Sequence, residues 1–154
     1  MRIIGIDPGT GILGFGVIDV NNRNLKLVDG GVIKTSKNDS DSTRIFTIYK
    51  ELSEIVKELK PDVMSVEKLF FAQNVTTAMT VSQARGVVLL IGAQNKLDIF
   101  EYTPLQIKQA LTGYGRAEKS QIQEMVKVIL KLKSIPKPDD CADALAAAIC
   151  HANN

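Results

Sequence analysis

The sequence predicts an α/β fold, a mixed five-stranded sheet with helices on both faces. Two patterns point there. Short apolar runs rich in β-branched residues, bounded by turn signals, fill the first third of the chain and recur twice later. From residue 41 onward, segments of three- and four-residue apolar periodicity alternate with those runs, which places helices between strands. Composition allows such a core: of 154 residues, 45% are hydrophobic, 23% charged and 5% aromatic, the profile of one compact domain over residues 1–154. Eleven glycines and five prolines are too few for a collagen-like or low-complexity chain.

Residues 2–6 (RIIGI) form a buried strand, ended by the turn signal Asp7-Pro8-Gly9-Thr10-Gly11. Gly14 to Val20 and Leu25 to Ile33 follow, joined by Asn21-Asn22-Arg23-Asn24, an antiparallel meander. From Asp41 to Lys60, Ile45, Ile48, Leu52, Ile55, Val56 and Leu59 mark one face of an amphipathic helix that ends before Pro61. Asp62 to Val66 is the fourth strand. Asn74 to Lys96 is a long helix, apolar around much of its circumference, which needs cover on more than one side. Leu97 to Tyr102 is the last strand, after which Thr103 as N-cap and Pro104 at the first helical position open a short helix to Leu111. A glycine-containing loop precedes a helix from Ser120 to Leu132. Pro136 and Pro138 then punctuate before the final helix, Asp139 to His151.

Charge and cysteine usage exclude several classes. The longest uninterrupted apolar run, Gly86 to Ala93, falls short of the roughly 18 residues of a membrane helix, and Asp7 and Pro8 interrupt the N-terminal apolar stretch before it becomes a signal sequence. A cytoplasmic, non-membrane protein is expected. Cys141 and Cys150, nine apart on one helix, point to opposite sides of it and cannot pair. With His151 the single histidine, a Cys/His zinc site is implausible. Residues 101–137 carry seven basic and three acidic side chains, a net +4, against −2 for the remainder. That asymmetry suits a polyanion, although a solvated helix face has the same composition.

Carboxylates stand in three unusual places. Asp7 closes one buried run and Glu67 another, so parallel neighbouring strands would deliver both to one sheet edge, where open α/β sheets bind ligands. In the final helix Asp140 and Asp143, at i and i+3, share a face near the positive end of the helix dipole; acids there also occur with no function, and Asp139 is assigned that bland role as the N-cap. Four converging acids repel one another unless a cation lies between them. Oxygen-only ligands select hard ions, so Mg2+, with Mn2+ as substitute, is expected, as a pair roughly 3.5 to 4 Å apart for phosphodiester chemistry. Without these four acids the rest of the chain carries +6, a balance suited to a nucleic-acid backbone. Lys108, Arg116 and Lys119 lie in and around the loop GYGRAEKS, a phosphate-binding arm if they are more than ordinary surface charge. Phe70 and Phe71 follow Glu67 and point opposite ways in extended chain, which leaves one free for bases unless both pack under the next helix.

The blocks MRIIGIDPGTGILGFGVID, VEKLFFAQN, QARGVVLLI, FEYTPLQIKQALTGYGRAEKSQIQ and DDCADALAAAICH resemble the RuvC family of Holliday junction resolvases over nearly the whole chain. The resemblance implies a ribonuclease H-like fold and a homodimer that cuts two opposing strands of four-way junction DNA symmetrically in recombination and repair, with divalent metal. It implies 5′-phosphate and 3′-hydroxyl ends, and RuvA and RuvB branch-migration proteins as partners. By position, it assigns metal binding and catalysis to Asp7, Glu67, Asp140 and Asp143, the DxxDAL spacing selecting Asp140 over Asp139. It places Lys108 and Lys119 against DNA or the scissile phosphate, without ordering the two, and Phe70 against junction bases. The chain departs from longer members in ending soon after AICH. Two alternatives remain at this level: a junction-binding module that does not cut, and an actin-like phosphotransferase lobe, whose phosphate loop IGIDPGTG resembles but whose two lobes exceed 154 residues.

Overall fold

The computed structural model describes residues 1–68 and 75–154. Strands β1 (Arg2–Asp7), β2 (Ile12–Asn21) and β3 (Asn24–Lys34) form the expected meander, followed by α1 (Asp41–Leu59), β4 (Val63–Glu67), α2 (Val75–Gln94), β5 (Asp98–Tyr102), α3 (Pro104–Thr112), α4 (Lys119–Ile129) and α5 (Asp139–Ala152). The sheet order is β3-β2-β1-β4-β5. β1 runs antiparallel to β2 and parallel to β4, and β4 parallel to β5, so the sheet is mixed.

Two hydrophobic cores flank that sheet. Ile3 of β1 packs with α3, α4 and α5, while Ile4 and Ile6 pack with α1 and α2 on the opposite face. A strand apolar on both sides is what burial on both faces requires. Capping follows the sequence signals: Ser40 Oγ accepts from the Thr43 N–H at the start of α1, and Thr103 and Gln106 form a reciprocal capping box on α3, which ends at Gly113 with φ 73°.

α5 lies directly on the sheet because the strands beneath it carry glycines. A Cβ on Gly5 would stand 2.0 Å from the Ala144 carbonyl oxygen, and one on Gly14 would stand 2.0 Å from that of Asp140. Neither contact is possible for any other residue, so glycine sets the depth at which the acid-bearing turn of α5 sits. Ser65 Oγ of β4 donates to the Ala147 carbonyl at 2.6 Å, a buried bond that ties α5 to the same strand that ends in Glu67.

Two expectations are corrected. α4 ends at Ile129 rather than Leu132, because Lys131 turns to φ 54° and the Leu132 N–H returns to the Lys127 carbonyl; Leu130 and Leu132 reach the core from that turn. Asp139 is not the cap of α5: Pro138 holds that position and makes no side-chain cap bond, leaving Asp139 as the first helical residue. By length and composition alone α2 meets the measure of a membrane span, with Arg85 inside the window, as buried core helices also do. In this fold Ala84, Val88 and Ile91 of α2 belong to the core.

Candidate active site

β1 and β4 are adjacent and parallel, with Ile6 opposite Val66, so the next residue on each strand, Asp7 and Glu67, emerges at the same edge. Asp7 is also opposite Gly14, the glycine over which the first turn of α5 passes. Close approach of α5 at that point brings Asp140 and Asp143 to Asp7: one carboxylate oxygen from each of the three lies within 4.8 Å of the others. Glu67 stands beside them, lining the same cavity as Asp7 and close enough for its charge to act on the Asp7 carboxyl. Chain positions 7, 67, 140 and 143 are thus assembled by one parallel strand pair and one glycine-cleared helix.

This cluster resists its own charge. Burial, and then the charges of Glu67, Asp143 and Asp140, push the Asp7 carboxyl up to about 8. Burial and the Asp143 charge raise Glu67, although Asp7, Lys108 and Lys119 oppose the shift. Asp143 is raised chiefly by burial, against the pull of Lys119. A set of oxygen donors that cannot all ionise alone fits a hard divalent ion, whose charge would reverse each shift.

Two cavities meet at the acids. One of about 260 Å³ is lined by Glu67, Asp143, Lys108, Lys119 and Pro104 among others, the second of about 310 Å³ by Asp7, Glu67, Lys68 and Arg85 among others. Lys119 stands at the N-terminus of α4 with Nζ 3.4 Å from Asp143 Oδ2 and 3.5 Å from Asp139 Oδ2. Burial opposes its positive charge, but the two aspartates outweigh that and raise its pKa. The structure therefore brings Lys108 and Lys119 to the acids and leaves Arg116 exposed on the α3–α4 loop, outside both linings. Phe70 falls at 69–74, outside the described residues. Arg85 was not singled out from sequence. It borders the Asp7 cavity and pairs with Glu101 at 2.5 Å, and its signal was a lone cation inside an apolar helix.

Comparison with known proteins agrees with this geometry. The family model described as crossover junction endodeoxyribonuclease RuvC matches residues 3–151. The RuvC proteins of Alkaliphilus metalliredigens and Caldicellulosiruptor saccharolyticus are 52% and 53% identical, over 100% and 98% of this chain and 94% and 92% of theirs. The structure of Thermus thermophilus RuvC superposes with a TM-score of 0.93 at 37% identity, covering 99% of this chain and 94% of that one. T. thermophilus RuvC in complex with Holliday junction substrate gives 0.94 at 38% identity, covering 99% and 93%. The yeast mitochondrial resolvase Ydc2, at 0.68 and 13% identity over 98% and 78%, shares the fold. With a family match across nearly all its residues, relatives half identical along its length, and an acid cluster assembled where that sequence pattern requires it, the chain belongs to the RuvC family of crossover junction endodeoxyribonucleases.

Proposed function

We propose that this protein is a Holliday junction resolvase, an endonuclease that nicks two opposing strands of a four-way DNA junction, with residues 1–154 as its catalytic domain. The observation that carries the chemistry is the convergence of Asp7, Asp140 and Asp143 within 4.8 Å, with Glu67 beside Asp7 in the same cavity. A binding module that does not cut has no use for four acids held against their own repulsion. In this reading the four carboxylates hold one or two divalent ions, Mg2+ or its substitute Mn2+. Such ions would activate water at neutral pH and stabilise charge on the attacking and leaving oxygens of an in-line displacement. The products would be 5′-phosphate and 3′-hydroxyl ends.

The chain's own groups do the positioning. Asp7 and Glu67, fixed by adjacent strand ends, set one wall of the site; Asp140 and Asp143, fixed by the first two turns of α5, set the other. Lys119, 3.4 Å from Asp143, and Lys108, in the same cavity, are placed to hold the scissile phosphate, with Arg116 farther out on the DNA path. Phe70, by resemblance, meets the junction bases. Two symmetric cuts need two sites related by a twofold axis, so a homodimer is proposed, with the outer face of α2 as its interface. RuvA and RuvB are proposed as its partners in branch migration.

The test is cleavage of a labelled synthetic four-way junction beside a duplex of the same sequence, with Mg2+ or EDTA. Paired nicks in the junction alone, dependent on metal and reduced at least about 100-fold in Asp7→Asn while junction binding persists, are expected, since one lost ligand removes several kcal/mol of transition-state stabilisation. Wild-type binding without metal-dependent nicks would leave the non-catalytic module.

A further inference from the structure

Between the two lysines of the active-site cavity the chain makes a short arch, Gly113 to Glu118, and its side chains are not alike. Tyr114 is 57% exposed, Arg116 is exposed, and Ala117 is buried. A tyrosine ring turned out to water loses the burial that ordinarily justifies it. The arch is nonetheless firmly built. The Tyr114 N–H donates to Thr112 Oγ1 at 3.1 Å, that hydroxyl donates to the Lys108 carbonyl at 2.7 Å, and the Tyr114 carbonyl accepts from the Ala117 N–H at 3.2 Å. Gly113 caps α3 in the left-handed region, and Gly115 lies against Leu105 and Gln109, where an added Cβ would come within 3.1 Å of Leu105 Cδ1. The ring is thus held out by a fixed backbone.

Its neighbours along the chain are cationic. Lys108 lies on the preceding helix, Arg116 two residues on and Lys119 five residues on, with Glu118 the single acid of the arch, its N–H bonded to Gln121. An exposed aromatic on a fixed backbone, set between phosphate-binding cations along the chain, is an arrangement by which proteins grip a nucleic-acid strand: cations follow the backbone, and the ring takes the flat face of a base or the deoxyribose.

We propose that Tyr114 is a DNA-contact residue, its ring packed on a nucleobase or deoxyribose of the strand whose phosphates Lys108, Arg116 and Lys119 hold. The inference rests on the junction-nuclease reading. It adds an aromatic contact on the α3–α4 arch, far along the chain from Phe70. Because the backbone beneath the ring is fixed in advance, ordering on contact is confined to the side chain's own rotation.

The experiment is anisotropy of a fluorescent four-way junction in EDTA, across a salt series, with wild type, Tyr114→Ala, Tyr114→Phe and Arg116→Ala. Tyr114→Ala should weaken binding about 5- to 50-fold with an unchanged salt slope, as loss of stacking does, and Tyr114→Phe should stay within about twofold of wild type. Arg116→Ala should lower the salt slope by about one ion, as loss of a phosphate contact does. A Tyr114→Ala protein that binds within twofold of wild type overturns the proposal, as does a Tyr114→Phe protein as weak as the alanine variant. Wild type that does not bind the junction refutes the functional reading instead. Thermal melting of the three variants, altered on exposed side chains, should match wild type.

Discussion

Asp7 is the residue whose environment is most at odds with its chemistry. Its carboxyl lies at about 8 in the folded chain, well above the 3.8 of an unperturbed aspartate. A carboxyl raised on folding favours the folded state fully below the lower value, and that contribution is lost as pH rises through the upper one. The metal-free protein should therefore lose stability between about pH 4 and 8, and Asp7→Asn should remove part of the loss. In EDTA the variant should melt above wild type at pH 8, by an amount equivalent to about 1 to 3 kcal/mol, with the gap closing near pH 4. Added Mg2+ should raise wild type more than the variant. A gap independent of pH would mean that Asp7 is not held neutral by its neighbours. Sequence pointed to the convergence of Asp7 with Glu67, Asp140 and Asp143; it did not give how deeply Asp7 is buried, the largest cause of its shift, which depends on how closely α5 lies on the sheet.

At the scale of the element, α5 is positioned by what β1 and β2 lack. Gly14→Ala would drive a methyl to within 2.0 Å of the Asp140 carbonyl, and the helix must lift to relieve it. We expect a loss of about 1 to 3 kcal/mol in urea unfolding, and a fall in junction cleavage larger than the unfolded fraction explains, because Asp140 moves with the helix. Cleavage that tracks folding alone would mean that α5 absorbs the methyl without displacing its first turn. The strands, the two-sided cover and most helix starts were legible because local signals fix them: β-branched runs, Ser40 and Thr103 as caps, Pro104 at a first helical position. The C-terminus of α4 was not, since Leu130 and Leu132 continue an apolar period while the backbone has already turned. Nor was Arg85, whose partner Glu101 lies on another element. Both depend on tertiary contacts that no window of sequence contains.

For the molecule as a whole, α2 carries an apolar stripe that the fold leaves uncovered. Val75, Met79 and Leu90 are at least half exposed, and Gly86, between the last two, leaves the helix backbone open, with nothing within 4 Å of where a Cβ would stand. A stripe of this kind suits a self-complementary contact across a twofold axis. Leu90→Glu should shift the protein from dimer to monomer in sedimentation at micromolar concentration and turn paired junction cuts into single ones. Unchanged sedimentation would remove α2 from the interface.

The two cysteines have a practical use. Cys141 and Cys150 are buried and unpaired, and burial above all pushes both thiols up to about 11. At neutral pH almost no thiolate is present, so alkylating dyes have little to attack. A cysteine introduced at an exposed position such as Asn21 or Lys37 would then react alone, giving a single-site fluorophore on an otherwise unaltered chain. One such label on the protein and one on a junction arm would let energy transfer follow binding, arm movement and release one molecule at a time.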